Sequence, residues 1–310
     1  MSTLQRALSG HSIAEQLALA KAQFIDSDSA ALDSRLLMCH VLQCETAYLM
    51  TWPEKPLDEA QLSAFQQLVA KRKTGYPIAY LLGYRDFWSL RLRVSPATLI
   101  PRPETELLVE TVLNLPLADD ASVLDLGTGT GAIALALGSE RPRWQVMGID
   151  KSADAVALAK QNAELNSLPQ VEFIQSDWFS ALEQPQIDQR QSQQNDRQDN
   201  QQKHRHKLFS LIVSNPPYVE DDSIYLQQGD VRFEPASALT SGKDGLDDIR
   251  IIIGKAITFL PSGGWLVFEH GYQQAQGVQA LLVNNGFEHV HSINDLNDLP
   301  RITLGCFASA

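Results

Sequence analysis

A glycine-rich turn between an apolar strand and a helix constrains the fold of this chain more than any other feature. Residues 123–126 have the composition of a short buried strand, and residues 132–137 that of the helix that follows. The turn, Asp125-Leu-Gly-Thr-Gly-Thr-Gly131, contains glycines that allow a sharp bend and a close approach of the backbone to a ligand. A nucleotide-binding α/β fold is therefore expected, with a turn that binds no ligand as the alternative.

The rest of the C-terminal region alternates between strand-like and helix-like segments. Strands are predicted at residues 144–149, 171–174, 208–213 and 265–269, and a helix is predicted at 153–165. Such alternation is typical of a parallel, doubly wound sheet. The fold class expected is thus α/β, with a Rossmann-like sheet as its centre.

The N-terminal region has a different pattern, and with 310 residues the chain is long enough for a second, smaller domain. Residues 1–75 are predicted to be all-helical: Ser12 and Glu15 form a capping-box pattern, and Leu32, Leu36 and Val41 suggest the apolar face of a second helix. A β-hairpin linker is expected at 76–99 and the main domain at 100–310. A Gln-rich stretch at 184–206 has almost no apolar residues, which indicates a disordered surface insertion.

Composition limits the class of protein. A formal net charge of −12 disfavours broad nucleic-acid binding, since phosphate backbones reward clustered Lys and Arg. No secretory signal and no apolar run of membrane-spanning length is evident, and the three cysteines form no zinc pattern. The expectation is a cytoplasmic protein without a metal and without a membrane partner.

An acidic residue supports nucleotide binding. Asp150 stands 19 residues beyond Gly131, at the end of the next predicted strand. In doubly wound folds an acid at this place accepts hydrogen bonds from ribose hydroxyls. The loop also satisfies the looser dinucleotide pattern, but no hydride-transfer site is evident, which argues against NAD.

A second motif, Asn215-Pro-Pro-Tyr218, follows the apolar strand at 208–213 and so falls where ligands of such sheets bind. Prolines donate no backbone hydrogen bond, so their carbonyls and the Asn215 oxygen provide acceptors for a planar NH2 group, on which Tyr218 can stack. Trp178 is interpreted as a wall for an adenine ring. Glu269 and His270 are interpreted as structural.

With these motifs the chain resembles the bacterial release-factor glutamine N5-methyltransferases, and the resemblance covers nearly the whole sequence. Asn-Pro-Pro-Tyr alone is shared with adenine N6 and guanine N2 methyltransferases. The tetrapeptide together with the motif Ile100-Pro-Arg-Pro-Glu-Thr-Glu106 and a helical N-terminal domain is more specific for this family. The matching segments, in order, are Tyr80-Leu-Leu-Gly83, Phe87, Ile100-Pro-Arg-Pro-Glu-Thr-Glu106, Asp125 to Gly131, Ser176-Asp-Trp178, Ser214-Asn-Pro-Pro-Tyr218, Glu234-Pro235, Asp244-Gly-Leu246 and Glu269-His-Gly271.

The resemblance implies methyl transfer from S-adenosylmethionine to a glutamine side-chain amide in the Gly-Gly-Gln loop of peptide chain release factors. Asn215 and Pro216 would orient the reacting amide, and Asn215, Pro216, Pro217 and Tyr218 would bind the substrate. The helical domain and hairpin would help to hold the release factor. The residues implied to contact S-adenosylmethionine are Gly127, Thr128, Gly129, Thr130, Gly131, Asp150, Trp178 and Asn215.

Two alternatives share parts of this pattern. An adenine N6 or guanine N2 methyltransferase acting on RNA or DNA would use the same loop and the same tetrapeptide. A non-catalytic adaptor that binds release factors would need only the helical domain, although the intact glycines, Asp150 and Asn215 argue against lost catalysis.

Overall fold

The computed structural model describes residues 11–183 and 207–308, so the Gln-rich stretch at 184–206 lies outside the described residues. The chain forms two compact units. The first comprises Met1–Tyr84 with Ile224–Phe233, and the second comprises Arg85–Ser223 with Glu234–Ala310. The domain boundaries expected from the sequence, at 75/76 and 99/100, stay predictions.

The first unit is built from short helices around an apolar core that includes Ile13, Leu37, Met38 and Phe65. The predicted capping box is confirmed: the Ser12 hydroxyl accepts from the Glu15 backbone N–H, and the Glu15 side chain accepts from the Ser12 backbone. The helices are α1 (Ile13–Gln23), α2 (Ala30–Leu42), α3 (Thr46–Thr51), α4 (Glu59–Lys73) and α5 (Ile78–Leu82).

The buried face of α2 differs from the predicted one. Leu32 is 49% exposed, whereas the neighbouring Asp33 is only 4% exposed. Asp33 accepts a hydrogen bond from Arg72 of α4 at 2.9 Å and from the hydroxyls of Ser27 and Ser29. Because these partners compensate the cost of burying a carboxylate, a charged residue occupies the face that an apolar pattern would assign to leucine.

A two-stranded hairpin follows, formed by β1 (Tyr84–Phe87) and β2 (Leu90–Arg93). It is shorter than the hairpin expected from residue 76, because α5 occupies residues 78–82. Gly83 ends α5 with a left-handed φ of 79°, a conformation that glycine adopts without a steric penalty.

The second unit is organised around a seven-stranded sheet with the strand order β5-β4-β3-β6-β7-β9-β8. Neighbouring pairs from β5 to β7 are parallel, which confirms the doubly wound α/β class. The elements are α6 (Thr105–Leu113), β3 (Ser122–Leu126), α7 (Ala132–Glu140), β4 (Gln145–Asp150), α8 (Ala153–Leu165), β5 (Glu172–Gln175), β6 (Leu211–Ser214), α9 (Asp247–Phe259), β7 (Trp265–Glu269), α10 (Ala275–Asn284), β8 (Phe287–Asn294) and β9 (Pro300–Phe307).

The last two strands were not expected from the sequence. β9 pairs antiparallel with both β7 and β8, so one edge of the otherwise parallel sheet is antiparallel. Only residues 295–299 separate β8 from β9. A parallel pairing needs a crossover of a dozen or more residues, so a connection this short permits only an antiparallel pair.

Successive residues of the central strand face two different cores. Val123 packs with apolar residues of α6, α7 and α8, while Leu124 packs with those of α9 and α10. Every side chain from Val123 to Leu126 is buried, as expected of a strand covered by helices on both faces. This double cover leaves the carboxyl ends of the strands as the place where a ligand can reach the sheet.

Candidate active site

A cavity opens at the carboxyl ends of β3, β4 and β6. It brings together residues from six separate segments of the second unit, including most of the residues that the sequence singled out. Those that line it are Ala97, Thr98, Leu99, Pro101, Arg102, Thr105, Gly127, Thr128, Gly129, Thr130, Ala132, Ile133, Ile149, Asp150, Lys151, Ser152, Ser176, Asp177, Trp178, Asn215, Pro217, Ser237 and Ala238.

The glycine turn is shaped by left-handed backbone conformations. Gly127, Gly129 and Gly131 have φ values of 72°, 54° and 84°, which side chains with a Cβ rarely adopt. Gly131 does not line the cavity; it precedes α7, and a Cβ on it would lie 3.0 Å from the Phe173 ring. Gly127 and Gly129 therefore form part of the cavity wall, whereas Gly131 allows α7 to pack closely against the sheet.

The turn is also held by side-chain hydrogen bonds that the sequence analysis did not predict. The Thr128 hydroxyl donates to Asp125 at 2.6 Å, and the Asn162 side chain donates to the Thr130 carbonyl at 2.9 Å. Asn162 also exchanges hydrogen bonds with the backbone of Arg93 in the hairpin. Only the tertiary structure identifies Asn162, because nothing in a helix-forming stretch distinguishes it from a solvated asparagine.

Burial makes Asp125 unusual among the carboxylates. It is 0% exposed, and its Oδ1 atom has no hydrogen-bond partner among the described residues. Burial raises the pKa of Asp125 to about 7, although hydrogen bonds from Thr128 and from the Ala134 backbone lower it. Asp125 thus stabilises the turn at an electrostatic cost.

Asp150 ends β4 with both carboxylate oxygens engaged by backbone donors. Oδ2 accepts from the Gly129 N–H at 3.0 Å, and Oδ1 accepts from the Ser152 N–H at 2.9 Å. Each carboxylate oxygen has a second lone pair, so the group can still accept from a ligand hydroxyl. Asp150 therefore positions the turn as well as lining the cavity.

Trp178 lies next to the first glycine of the turn on the cavity wall. A Cβ placed on Gly127 would lie 3.6 Å from Cζ3 of the indole, so these residues form neighbouring walls. Trp178 has a φ of 46°, and its carbonyl accepts from the Ser176 hydroxyl at 2.7 Å. The unusual backbone conformation is thus held by a side chain of the same short segment.

Only two residues of the tetrapeptide that follows β6 line the cavity. Asn215 and Pro217 line the cavity, whereas Pro216 is buried and, like Tyr218, is absent from the lining. The Tyr218 hydroxyl instead donates to Glu269 at 3.4 Å, and the Tyr218 carbonyl accepts from Gln274.

Asn215 is tied to a residue that the sequence analysis gave no role. Its Nδ2 atom donates to the Thr105 hydroxyl at 3.2 Å. Thr105 begins α6 and, with Arg102, lies in the motif at 100–106. Arg102 forms an ion pair with the fully buried carboxylate of Glu234, which also accepts from the Ile100 N–H. Motif matching could point to this segment, but only the fold brings it to Asn215.

Behind the tetrapeptide lies a buried polar layer at the end of β7. Burial raises the pKa of Glu269 to about 7, against hydrogen bonds from Thr105 and Tyr218 and the charge of Arg301, which lower it. Burial and the nearby Glu269 also raise the pKa of Tyr218. His270 is fully buried; its Nδ1 donates to the Gly271 carbonyl, Nε2 accepts from Thr303, and burial lowers its pKa.

Two further absences hold for the described residues. Within 11–183 and 207–308 no group of three or more His, Cys, Asp or Glu side chains is placed to hold a metal ion. In the same part of the chain, no helix combines the length and the apolar character that crossing a membrane requires.

Two family models match the chain. Residues 15–83 match a model described as the PrmC N-terminal domain, and residues 117–276 match a model described as a methyltransferase domain. A release factor glutamine methyltransferase of Shewanella oneidensis is 47% identical over 294 residues, covering 94% of this chain and 95% of the relative. Relatives with the same name from Pseudomonas aeruginosa and Escherichia coli are 47% and 42% identical, covering 94% and 90% of this chain and 97% and 93% of their own lengths.

The chain belongs to the release factor glutamine methyltransferase family. It is accordingly an S-adenosylmethionine-dependent methyltransferase. Among solved structures, the catalytic domain of hMettl16, in complex with a 3'UTR hairpin, matches with a TM-score of 0.53 at 16% identity, covering 78% of this chain and 82% of that one. At this identity the likeness supports the methyltransferase fold alone.

The cavity of this family member fits S-adenosylmethionine in its chemistry. Gly127 and Gly129 present backbone without a Cβ, and Asp150 offers carboxylate lone pairs for ribose hydroxyls. Trp178 gives the cavity an aromatic wall that would suit an adenine ring, and Asp177 beside it would add an acceptor. These residues would hold the methyl donor at the same rim where Asn215 lies.

Proposed function

We propose that this methyltransferase transfers the methyl group of S-adenosylmethionine to the side-chain amide nitrogen, N5, of the glutamine in the Gly-Gly-Gln loop of peptide chain release factors. The name of its relatives supports the substrate, since proteins up to 47% identical are release factor glutamine methyltransferases. The activity would make it an enzyme of protein methylation that acts in translation termination.

The position of the Asn215 side chain supports the proposal at the level of individual residues. Asn215 lies on the wall of the same cavity as the glycine turn, with its NH2 end bonded to Thr105. Its Oδ1 atom is therefore the end that remains for a ligand, and an oxygen acceptor suits the NH2 group of a glutamine amide. The Pro216 carbonyl would be the second acceptor for that NH2 group.

An amide nitrogen needs help to act as a nucleophile because its lone pair is delocalised into the carbonyl. When bound, S-adenosylmethionine supplies a methyl group that is already activated by a positively charged sulfur. Asn215 and Pro216 would hold both N–H bonds of the glutamine and turn the nitrogen lone pair toward the methyl carbon. Alignment and stabilisation of developing charge would therefore supply the rate, rather than a general base.

The reaction balances as an in-line substitution. The amide nitrogen forms a bond to the methyl carbon while the carbon–sulfur bond breaks, and the pair of electrons from that bond goes to sulfur. The nitrogen then loses one proton to water. The step as written requires no metal.

The partner would be recognised by more than the reacting amide. We infer that the helical region at 1–75 and the hairpin within 76–99 dock the release factor, while direct contact with nucleic acid or membrane plays no part. The net charge of −12 supports the exclusion of broad nucleic-acid binding. A substrate of the translation machinery also favours a cytoplasmic location.

Methyl transfer can be tested by intact mass followed by peptide mapping. A release factor incubated with enzyme and donor should gain one methyl group, on the glutamine of its Gly-Gly-Gln loop. Free glutamine should react very poorly because it lacks the remote contacts that align the amide. Asn215→Ala should lower kcat by roughly two to four orders of magnitude, the range for loss of a positioned catalytic contact.

The matched control is Asn114→Ala, an exposed asparagine at the end of α6 and outside the cavity, which should leave the rate unchanged. RNA and DNA are offered as acceptors in parallel. Methyl groups on nucleic-acid bases, on lysine or arginine, or on free glutamine at a comparable rate would contradict the proposal, as would release-factor binding without methyl transfer.

A further inference from the structure

The side chain of Gln274 joins three separate pieces of backbone around the end of the tetrapeptide. Its Nε2 atom donates to the Tyr218 carbonyl at 2.9 Å and to the Asp244 carbonyl at 3.1 Å. Its Oε1 atom accepts from the Gly271 N–H at 2.8 Å. All four residues belong to the second unit, and Gln274 itself does not line the cavity. The glutamine therefore holds the tetrapeptide from outside the cavity.

We propose that Gln274 is a positioning residue for methyl transfer, which fixes the tetrapeptide by holding the Tyr218 carbonyl. The inference rests on the proposed function, in which the Asn215 oxygen and the Pro216 carbonyl accept from the glutamine NH2 group of the substrate. Gln274 touches neither the substrate nor the methyl donor in this role. It acts through the backbone of Tyr218.

The partners of Gln274 leave one orientation for its amide. A backbone N–H can only donate and a backbone carbonyl can only accept, so the oxygen end must face Gly271 and the nitrogen end must face Tyr218 and Asp244. The two hydrogens of the NH2 group suffice for the two carbonyls. Rotation of the amide by half a turn would place donor against donor at Gly271 and acceptor against acceptor at the carbonyls. The three bonds therefore act together to hold the side chain in one position.

The tetrapeptide needs anchors of this kind because its two prolines have no backbone N–H to donate. Its first residue follows β6, which is paired on both sides. At its end, the Tyr218 N–H donates to the Leu239 carbonyl at 3.1 Å, and the Tyr218 carbonyl accepts from Gln274. The residues between are stiff, since proline fixes its own φ and restricts the residue before it. A shift of Tyr218 would therefore also move the Pro216 carbonyl.

A glycine shows how closely the neighbouring loop approaches the same carbonyl. A Cβ placed on Gly245 would collide with the Tyr218 oxygen and would lie 2.6 Å from Nε2 of Gln274. Gly245 also has a φ of 69°, which side chains with a Cβ rarely adopt. The loop that contains Asp244 is thus packed directly against this hydrogen bond. Close packing around the bond favours a single position of the Tyr218 carbonyl.

Two substitutions separate the bonds to the carbonyls from the bond to Gly271. Gln274→Glu keeps the size of the side chain and, as an ionised carboxylate, can still accept from the Gly271 N–H but cannot donate to either carbonyl. Gln274→Leu loses all three bonds. Both should lower kcat by about 10- to 100-fold through misalignment of the acceptors. The affinity for S-adenosylmethionine, measured by calorimetry, and the KM for the release factor should change little, because the glycine turn and Asp150 are untouched.

The matched control is Gln273→Leu, at the exposed neighbouring glutamine, which should keep the wild-type rate. Should the leucine variant at 274 not fold, the glutamate variant, whose side chain has nearly the wild-type shape, decides the question. Wild-type turnover in folded Gln274→Glu would overturn the proposal, because a role confined to the turn after β7 needs only the bond to Gly271. A loss of donor affinity that accounts for the loss of rate would overturn it as well.

A second readout needs no acceptor and so distinguishes failure of this inference from failure of the proposed function. Tyr218-Val219 is the only place in the chain where valine follows tyrosine. Enzyme labelled with ¹³C-carbonyl tyrosine and ¹⁵N-valine therefore gives a single carbonyl–nitrogen correlation, which reports on the Tyr218 carbonyl. Its ¹³C frequency should move in Gln274→Glu and in Gln274→Leu, since the carbonyl loses a hydrogen bond, but not in Gln273→Leu. An unmoved signal would overturn the inference even if release factors are methylated, whereas a moved signal with no methylation by the wild type would place the failure in the proposed function.

Discussion

Three carboxyl groups at or near the carboxyl ends of strands, those of Asp125, Asp150 and Glu269, have different roles because their surroundings differ. Asp150 is half-buried and engaged by two backbone N–H groups. Asp125 and Glu269 are buried, and each keeps one oxygen without a partner among the described residues. A partly solvated carboxylate stays ready to accept from a ligand, while a buried one is better suited to holding neighbouring groups in place.

Replacement of Asp150 should weaken donor binding with the fold kept. Asp150→Ala removes a charge-assisted acceptor worth roughly 1.5–3 kcal/mol, and it also frees the Gly129 N–H that shapes the turn. Calorimetry should show the loss of affinity for S-adenosylmethionine, while circular dichroism remains that of the wild type. Asp154→Ala, an exposed acid in the first turn of α8, is the control. Equal donor affinity in Asp150→Ala and the wild type would exclude this role for Asp150.

At the scale of elements, the hairpin and the glycine turn depend on one helix. Asn162 of α8 binds the backbone of both Arg93 and Thr130, and Asn166 one turn later binds the backbone of Arg91. Two asparagines thus join β2 to the helix that also holds the glycine turn. These contacts lie within the second unit.

The Gln-rich stretch at 184–206 is the element we expect to be dispensable. The described residues that line the cavity all lie outside it, with Trp178 before it and Asn215 after it. Because almost none of its side chains is apolar, and because loop length costs little entropy, a short Gly/Ser linker should preserve both stability and methyl transfer. Thermal unfolding and single-turnover methylation measure the two. A large drop in either would reveal a packing or recognition role for the stretch.

At the scale of the whole molecule, the buried carboxyl groups link stability to pH. The pKa values of Asp125 and Glu269 are each raised to about 7, from ordinary values of 3.8 and 4.5. The folded chain therefore binds these protons more tightly than the unfolded chain does. Their stabilising effect is complete below the ordinary pKa values and is lost as the pH rises through about 7.

Glu269→Gln isolates one of the two effects. The stability of the variant relative to the wild type should increase as the pH rises from about 4.5 to about 7, by roughly 3 kcal/mol in total, and should be constant above that. Urea unfolding of both proteins across this range gives the difference, and any constant cost of the substitution cancels from its slope. Parallel stability curves would show that Glu269 titrates in the folded protein as it does in the unfolded chain.

Short-range patterns in the sequence specified much of this protein. The capping box at Ser12, the bounds of β7 and the glycine turn each depend on neighbours a few residues away, so propensity and spacing predicted them. Alternation of strands and helices likewise indicated the parallel sheet. The motifs also pointed to Asp150, Trp178 and Asn215, which the structure brings to one cavity, while their contacts with S-adenosylmethionine stay predictions.

The tertiary structure decided what pairs with these residues. Asn215 and Thr105 are far apart in the sequence, and their hydrogen bond forms only because the fold brings the start of α6 to the loop after β6. For the same reason the buried Asp33 could not be predicted, since its cost is offset by Arg72 of another helix. Local patterns record which conformation each segment prefers, whereas the partner of a buried polar group depends on strand order and packing, which no local pattern contains.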